Sequence, residues 1–98
     1  MNKVFLAGKV SSMPDLRKTD SGVSVCDFVM AAESGNGDHR RTDYIKIVVW
    51  GAAGEAAFDV LKQGSSCVVC GRLQIRTVDK SDKRLYYTEV VSEEIKFM

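Results

Sequence analysis

Tyr44, Lys46, Val48 and Trp50 occupy every second position of the run Asp43-Tyr-Ile-Lys-Ile-Val-Val-Trp-Gly51. In an extended strand, alternate side chains share a face. These four therefore lie on one side, and Ile45, Ile47 and Val49 on the other. The aliphatic side belongs against a core. The other side offers two aromatic rings and a cation to whatever lies outside. Aromatic rings stack on the faces of unpaired nucleobases, at roughly 1–3 kcal/mol per base by truncation. An ammonium between the rings meets a phosphate. Tyr44 and Trp50 stand about 20 Å apart at roughly 3.3 Å per residue, so they serve separate bases. A bland reading stays open beside this one. Outward tyrosines are ordinary strand residues, and an outward tryptophan also fits a subunit contact.

More cations fall on segments that border this strand. Arg72, Gln74 and Arg76 share one side of a later strand, and Lys3 and Lys9 one side of the first. Arg17 and Lys18 sit in one polar loop, and Lys80, Lys83 and Arg84 in another. Arg40 and Arg41 close the glycine-containing segment Ser34-Gly-Asn-Gly-Asp-His-Arg-Arg41.

Other chemistry has weaker support. Cys67-Val-Val-Cys70 has the spacing of a redox pair, but that pair needs a helix start to bring its sulfurs together. On a strand the two thiols point to opposite faces. No second pair completes a zinc site, and the one histidine, His39, is far away in the sequence. Buried free thiols are the better reading. The acids form no general acid/base constellation, and Gly35 and Gly37 precede no phosphate-loop lysine. No catalytic activity, metal or cofactor is expected.

The elements that position these residues follow from their periods. Residues 2–10 alternate as a first strand, with Val4, Leu6, Gly8 and Val10 on one face. Residues 11–22 hold the only proline and form a loop. Residues 23–33 make a second strand with Cys26, Phe28, Met30 and Ala32 inward, and 43–51 the third. Residues 52–63 change to a helical period, with Ala53, Ala56, Ala57, Val60 and Leu61 on one face and Gly64 at the end. Phe58 falls off that face. A fourth strand spans 66–77, with Cys67, Val69, Gly71, Leu73 and Ile75 inward. Residues 78–84 are a polar turn. The last strand runs over 85–91 and 94–97, with a bulge near Ser92 and Glu93. Three strands, a helix and two strands are the order of an all-β, five-stranded OB-fold Greek-key barrel with one helix between strands three and four. The binding face of such a barrel lies on strands two and three and the loops beside them.

Ninety-eight residues suit a single domain over 1–98. Fourteen basic and 13 acidic residues leave a net charge of +1, so any nucleic-acid case rests on where the charges lie. No run of 18 apolar residues exists, and no membrane partner is expected. The first ten residues read as a strand and not as a signal peptide. Three cysteines make no disulfide framework and point to a reducing, cytoplasmic compartment.

Several segments together resemble a known family. Met1-Asn-Lys-Val4, Pro14-Asp-Leu-Arg17, Thr42-Asp-Tyr-Ile-Lys46, Val48-Val-Trp-Gly51, Leu61-Lys-Gln-Gly-Ser65, Gly71-Arg-Leu-Gln74 and Tyr86-Tyr-Thr-Glu-Val-Val91 are similar, in order and spacing, to the bacterial single-stranded DNA-binding proteins. The resemblance runs nearly end to end. It implies an OB-fold that binds single-stranded DNA with little sequence preference in replication, repair or recombination. It also implies a homotetramer or homodimer, replication proteins as further partners, and a nucleoid-associated place in the cytoplasm. Carried over by position, Trp50 and Tyr44 match stacking aromatics, and Lys46 a basic residue on their face. Arg17, Arg72, Arg76 and Lys3 match or adjoin contact positions. Arg40 and Arg41 add to the phosphate-tracking set. Phe5 is a candidate subunit contact.

The chain also departs from the family. Aromatics that the family often has after strand two and at the end of strand four are replaced around Gly35 and at Val78, and a common histidine by Ile45. No linker or acidic tail is expected after Met98, where the family usually continues. With fewer stacking rings, binding is expected to be weaker and more salt-sensitive, by roughly 0.7 in log–log slope per phosphate contact. The alternative is a protein-interaction OB module of a replication assembly, like the short primosomal OB protein, with weak nucleic-acid binding.

Overall fold

The computed structural model describes residues 1–98. The chain forms six strands, five of them with alternating apolar and polar residues: β1 (Val4–Val10), β2 (Asp15–Lys18), β3 (Ser24–Ser34), β4 (Arg41–Trp50), β5 (Ser66–Lys80) and β6 (Lys83–Phe97). One helix, α1 (Gly51–Val60), lies between β4 and β5, and a 3-10 turn at Gly37–His39 joins β3 to β4. The strands β1, β5, β6, β4 and β3 pair in that order, and β1 pairs again with β3 at Lys9↔Ala31 and Val10↔Met30. Five strands thus close on themselves, with no open edge at the seam. This is the expected OB-fold Greek-key barrel, with its helix after the third principal strand.

The sixth strand is β2, which lies inside the segment expected to be a loop. It pairs with β3 at Asp15↔Asp27 through Lys18↔Ser24. Its four residues are too few for alternation to announce them, and the backbone of β3 supplies the partner.

The core is the inward face of the closed strands: Val10, Cys26, Phe28, Met30, Ile47, Val49, Cys67, Val69 and Val90, with Ala57 and Leu61 from the helix side. Each such aliphatic or aromatic side chain contributes about 1.5–3 kcal/mol on burial.

The helix docks by a different face from the one expected. Gly54, Ala57 and Leu61 are buried, while Ala53, Ala56 and Val60 are exposed. A Cβ on Gly54 would lie 2.3 Å from the Val49 carbonyl oxygen. The absent side chain is what lets α1 press onto β4, and hydropathy does not register it. The helix also ends before Gly64, at Val60. Leu61 turns to an extended conformation and enters the core, its N–H still donating to the Ala57 carbonyl.

The β5–β6 hairpin outruns the barrel. Its register runs from Cys67↔Phe97 to Lys80↔Lys83, leaving only Ser81 and Asp82 in the turn. The expected bulge is present: Cys70 pairs with Glu94 and Gly71 with Ser92, which leaves Glu93 over. A Cβ on Gly71 would lie 2.1 Å from the Val91 carbonyl oxygen, so the strands meet at the bulge closer than any side chain allows. From Ile75 and Thr88 outwards, β5 and β6 pair only with each other. Leu73 and Ile75, expected inward, are about half exposed because no opposite wall reaches them.

Candidate nucleic-acid interface

The outer face of β4 carries Tyr44, Lys46, Val48 and Trp50, opposite the buried Ile47 and Val49. Strand register spreads this face sideways in rows. Arg17, Val25 and Trp50 stand side by side across β2, β3 and β4. Asp15, Asp27, Val48, Val91 and Arg72 form the next row, crossing to β6 and β5. Val29, Lys46, Glu89 and Gln74 form the third. Two residues before Lys46 and Glu89 stand Tyr44, beside Ala31, and Tyr87, beside Arg76. One curved wall therefore gathers Trp50, Tyr44, Lys46, Arg17, Arg72 and Arg76.

Both expected rings are open to solvent, Tyr44 at 70% and Trp50 at 45% of full exposure. The two rings stand at opposite ends of the β4 face, with Lys46 between them.

The other three candidates lie off the centre of the wall. Arg40 reaches its rim, where its guanidinium meets Glu33 at 2.6 Å. Arg41 shares the parity of Ile45 and Ile47, not of Tyr44, and pairs with Asp43 at 2.9 Å. Lys3 precedes β1 and binds Glu93, the bulged residue, at 2.6 Å. That hydrogen bond holds the Lys3 ammonium above its ordinary pKa.

Most of these cations have a carboxylate neighbour. Arg17 lies 3.8 Å from Asp27, and Lys46 and Arg76 share Glu89. Arg72 alone among the candidate cations has no acid within ion-pair reach; its guanidinium donates to the Gln74 side chain at 3.3 Å. Exposed pairs of this kind are worth about 0–1 kcal/mol, so a phosphate can displace the acid. The Glu89 pairs differ, because the Glu89 side chain is only 4% exposed.

Two residues on this wall were not singled out from the sequence. Glu89 is the buried carboxylate beneath Lys46 and Arg76. Tyr87 is 42% exposed, and the Arg76 guanidinium carbon lies 4.8 Å from its ring centre. The adjacent Tyr86 and Tyr87 point to opposite faces, and only the register tells them apart. A two-residue turn at Ser81-Asp82 pairs Arg76 with Tyr87 and Gln74 with Glu89. A turn read as 78–84 leaves that pairing undefined.

The cysteines lie away from the wall. Cys26 and Cys67 are buried, and Cys70 is half-buried on the opposite face of β5 from Cys67. Burial, and then Asp27 and Asp15, push the Cys26 thiol up to about 11 from 9.0. Burial also raises Cys67.

Comparison with known proteins shows what the chain is similar to. The model of the single-strand binding protein family matches residues 1–98. A protein of Listeria innocua serovar 6a named single-stranded DNA-binding protein 2 is 40% identical over 102 residues, covering all of this chain and 64% of the relative. A single-stranded DNA-binding protein of Bacillus cereus is 40% identical over 102 residues, covering all of this chain and 60% of the relative. The chain thus spans less than two thirds of the length of these relatives. The crystal structure of the wild-type single-stranded DNA binding protein from Thermus aquaticus superposes with a TM-score of 0.87 at 27% identity, over all of this chain and 50% of that one.

Proposed function

The chain belongs to the single-strand binding protein family, and on that premise we propose that it binds single-stranded DNA with little regard for base sequence. The observation that carries this reading is the pair of open rings, Tyr44 and Trp50, on one outer wall with Lys46 between them. Bases stack on the two rings. Lys46, Arg72, Arg76 and Arg17 neutralise phosphates from the wall, and Arg40, Arg41 and Lys3 extend the field from its margins. Stacking accepts any base because every base has a π-face. The wall binds and does not catalyse.

The names of the similar proteins favour this reading over a protein-interaction module. The role is to protect or present unpaired strands in replication, repair or recombination, in the cytoplasm and at the nucleoid. The assembly is a homotetramer or homodimer. Phe5, outward on β1 and largely exposed, is a subunit contact in that assembly. Replication proteins are its further partners. No helix is long and apolar enough to cross a membrane.

Trp50 is the only tryptophan, so its fluorescence reports the site directly. Titration with oligo-dT should quench it, and Trp50→Ala should weaken binding by about 1–3 kcal/mol while the melting temperature holds. Unchanged emission at saturation, or unchanged affinity in the variant, removes Trp50 from the site. Light scattering on the same sample gives the assembly size.

A further inference from the structure

Arg76 is held in an unusual way for a residue meant to grip phosphate. Its Nε donates to Glu89 Oε2 at 3.1 Å. The same oxygen lies 3.4 Å from Lys46 Nζ. Glu89 is buried in the wall, so this carboxylate cannot swing away when DNA arrives. A phosphate approaching Arg76 meets that fixed negative charge as well as the guanidinium. Arg76's charge is therefore partly spent within the protein, unlike that of Arg72.

What Arg76 still offers is its flat shape. Its guanidinium lies over Tyr87, with the central carbon 4.8 Å from the ring centre, and Tyr87 itself is 42% exposed. Guanidinium planes stack on nucleobases as aromatic rings do. We propose that Arg76 and Tyr87 form a third base-stacking station, with Glu89 as its positioning residue, and that Arg76 acts through its plane and not through its charge. The inference rests on the reading that this wall binds single-stranded DNA. It adds Tyr87 to the interface and changes the part played by Arg76.

The two roles of Arg76 separate by a substitution that keeps the charge and removes the plane, with the salt slope showing that the charge is kept. A phosphate contact contributes roughly 0.7 to the slope of log affinity against log salt, whereas stacking contributes nothing to it. The experiment is an anisotropy titration of labelled oligo-dT across a salt series, with the wild type, Tyr87→Leu and Arg76→Lys. Lysine keeps the charge and can still pair with Glu89, but it has no plane. Both variants should bind about fivefold or more weakly at every salt concentration, with the wild-type slope. Arg76→Lys binding like the wild type overturns the inference, and so does Tyr87→Leu binding within about twofold of it. If Tyr87→Leu folds poorly, Arg76→Lys decides alone, because it leaves the tyrosine in place. A wild type that does not bind oligo-dT overturns the underlying reading as well. A wild type that binds while both variants match it overturns this inference only.

Discussion

Lys46 and Glu89 lie 3.4 Å apart, Nζ to Oε2, across β4 and β6, the one parallel strand pair of the barrel. The acid is buried and the ammonium partly open, so the cation of the outer β4 face stands on a fixed counter-charge.

Removing that counter-charge should change how binding responds to salt. Glu89→Gln keeps the shape and the acceptor oxygen. The trio of Lys46, Arg76 and residue 89 then goes from one net positive charge to two. Binding to oligo-dT should tighten at low salt, and the log–log slope should steepen by up to roughly 0.7 for each cation released to phosphate. A salt series with the wild type and the variant checks this, and an unchanged slope refutes it.

Arg72 has no carboxylate partner, so it should serve phosphate most freely. Arg72→Gln should lower the slope by roughly 0.7 and weaken binding evenly across base sequences. The same salt series, run with homopolymers of different base, measures both effects. A loss confined to one base would mean that Arg72 reads an edge and not the backbone.

Gly54→Ala pits two effects against each other. Alanine favours helix over glycine by about 1 kcal/mol. The new methyl, however, would stand 2.3 Å from the Val49 carbonyl oxygen and 3.2 Å from the Cys26 amide nitrogen, which are backbone atoms with little room to retreat. Overpacking of this kind typically costs about 1–3 kcal/mol, and the clash should win. Chemical denaturation should give a lower midpoint for the variant. A raised midpoint would show that α1 can lift from β4 at no loss.

The buried thiols predict an alkaline limit to stability. Cys26 titrates at 9.0 when unperturbed and at about 11 when folded. Between these values the folded state holds a proton that the unfolded state has lost, so stability falls as pH rises through that window. Melting temperatures should decline from pH 9 towards pH 11 more steeply for the wild type than for Cys26→Ala. Equal declines would assign the loss to other groups. At neutral pH a thiol reagent should modify Cys70 first, since Cys26 and Cys67 are sealed in the core.

Much of the barrel was legible in the sequence because alternation is a strong signal wherever a wall faces a core on one side only. It fixed the sides of Tyr44, Lys46 and Trp50, and the extra residue at Glu93 betrayed the bulge. Three things were not legible, each for a physical reason. β2 is too short to show a period and exists because β3 offers it an edge. The docking face of α1 is set by the missing side chain of Gly54. Tyr87 and Glu89 depend on the register of a hairpin whose turn, Ser81-Asp82, lacks a glycine; Ser81 itself takes the positive φ of 53°. The carboxylate partners of Lys3 and Lys46 come from a strand far off in sequence, and that of Arg76 from across the β5–β6 hairpin, so local pattern does not reveal them.

The overhang of β5 and β6 beyond the barrel has a mechanical consequence. A lone two-stranded ribbon is marginal in water, so hydrogen exchange along β5 should run from slow at Val69, in the core, to fast at Asp79, near the tip. Trp50 stands on the stiff part of the molecule, whereas Arg76 and Tyr87 ride on a compliant finger. On the proposed reading, a polymer whose spacing between bases varies is met at one end by a rigid post and at the other by a part that gives.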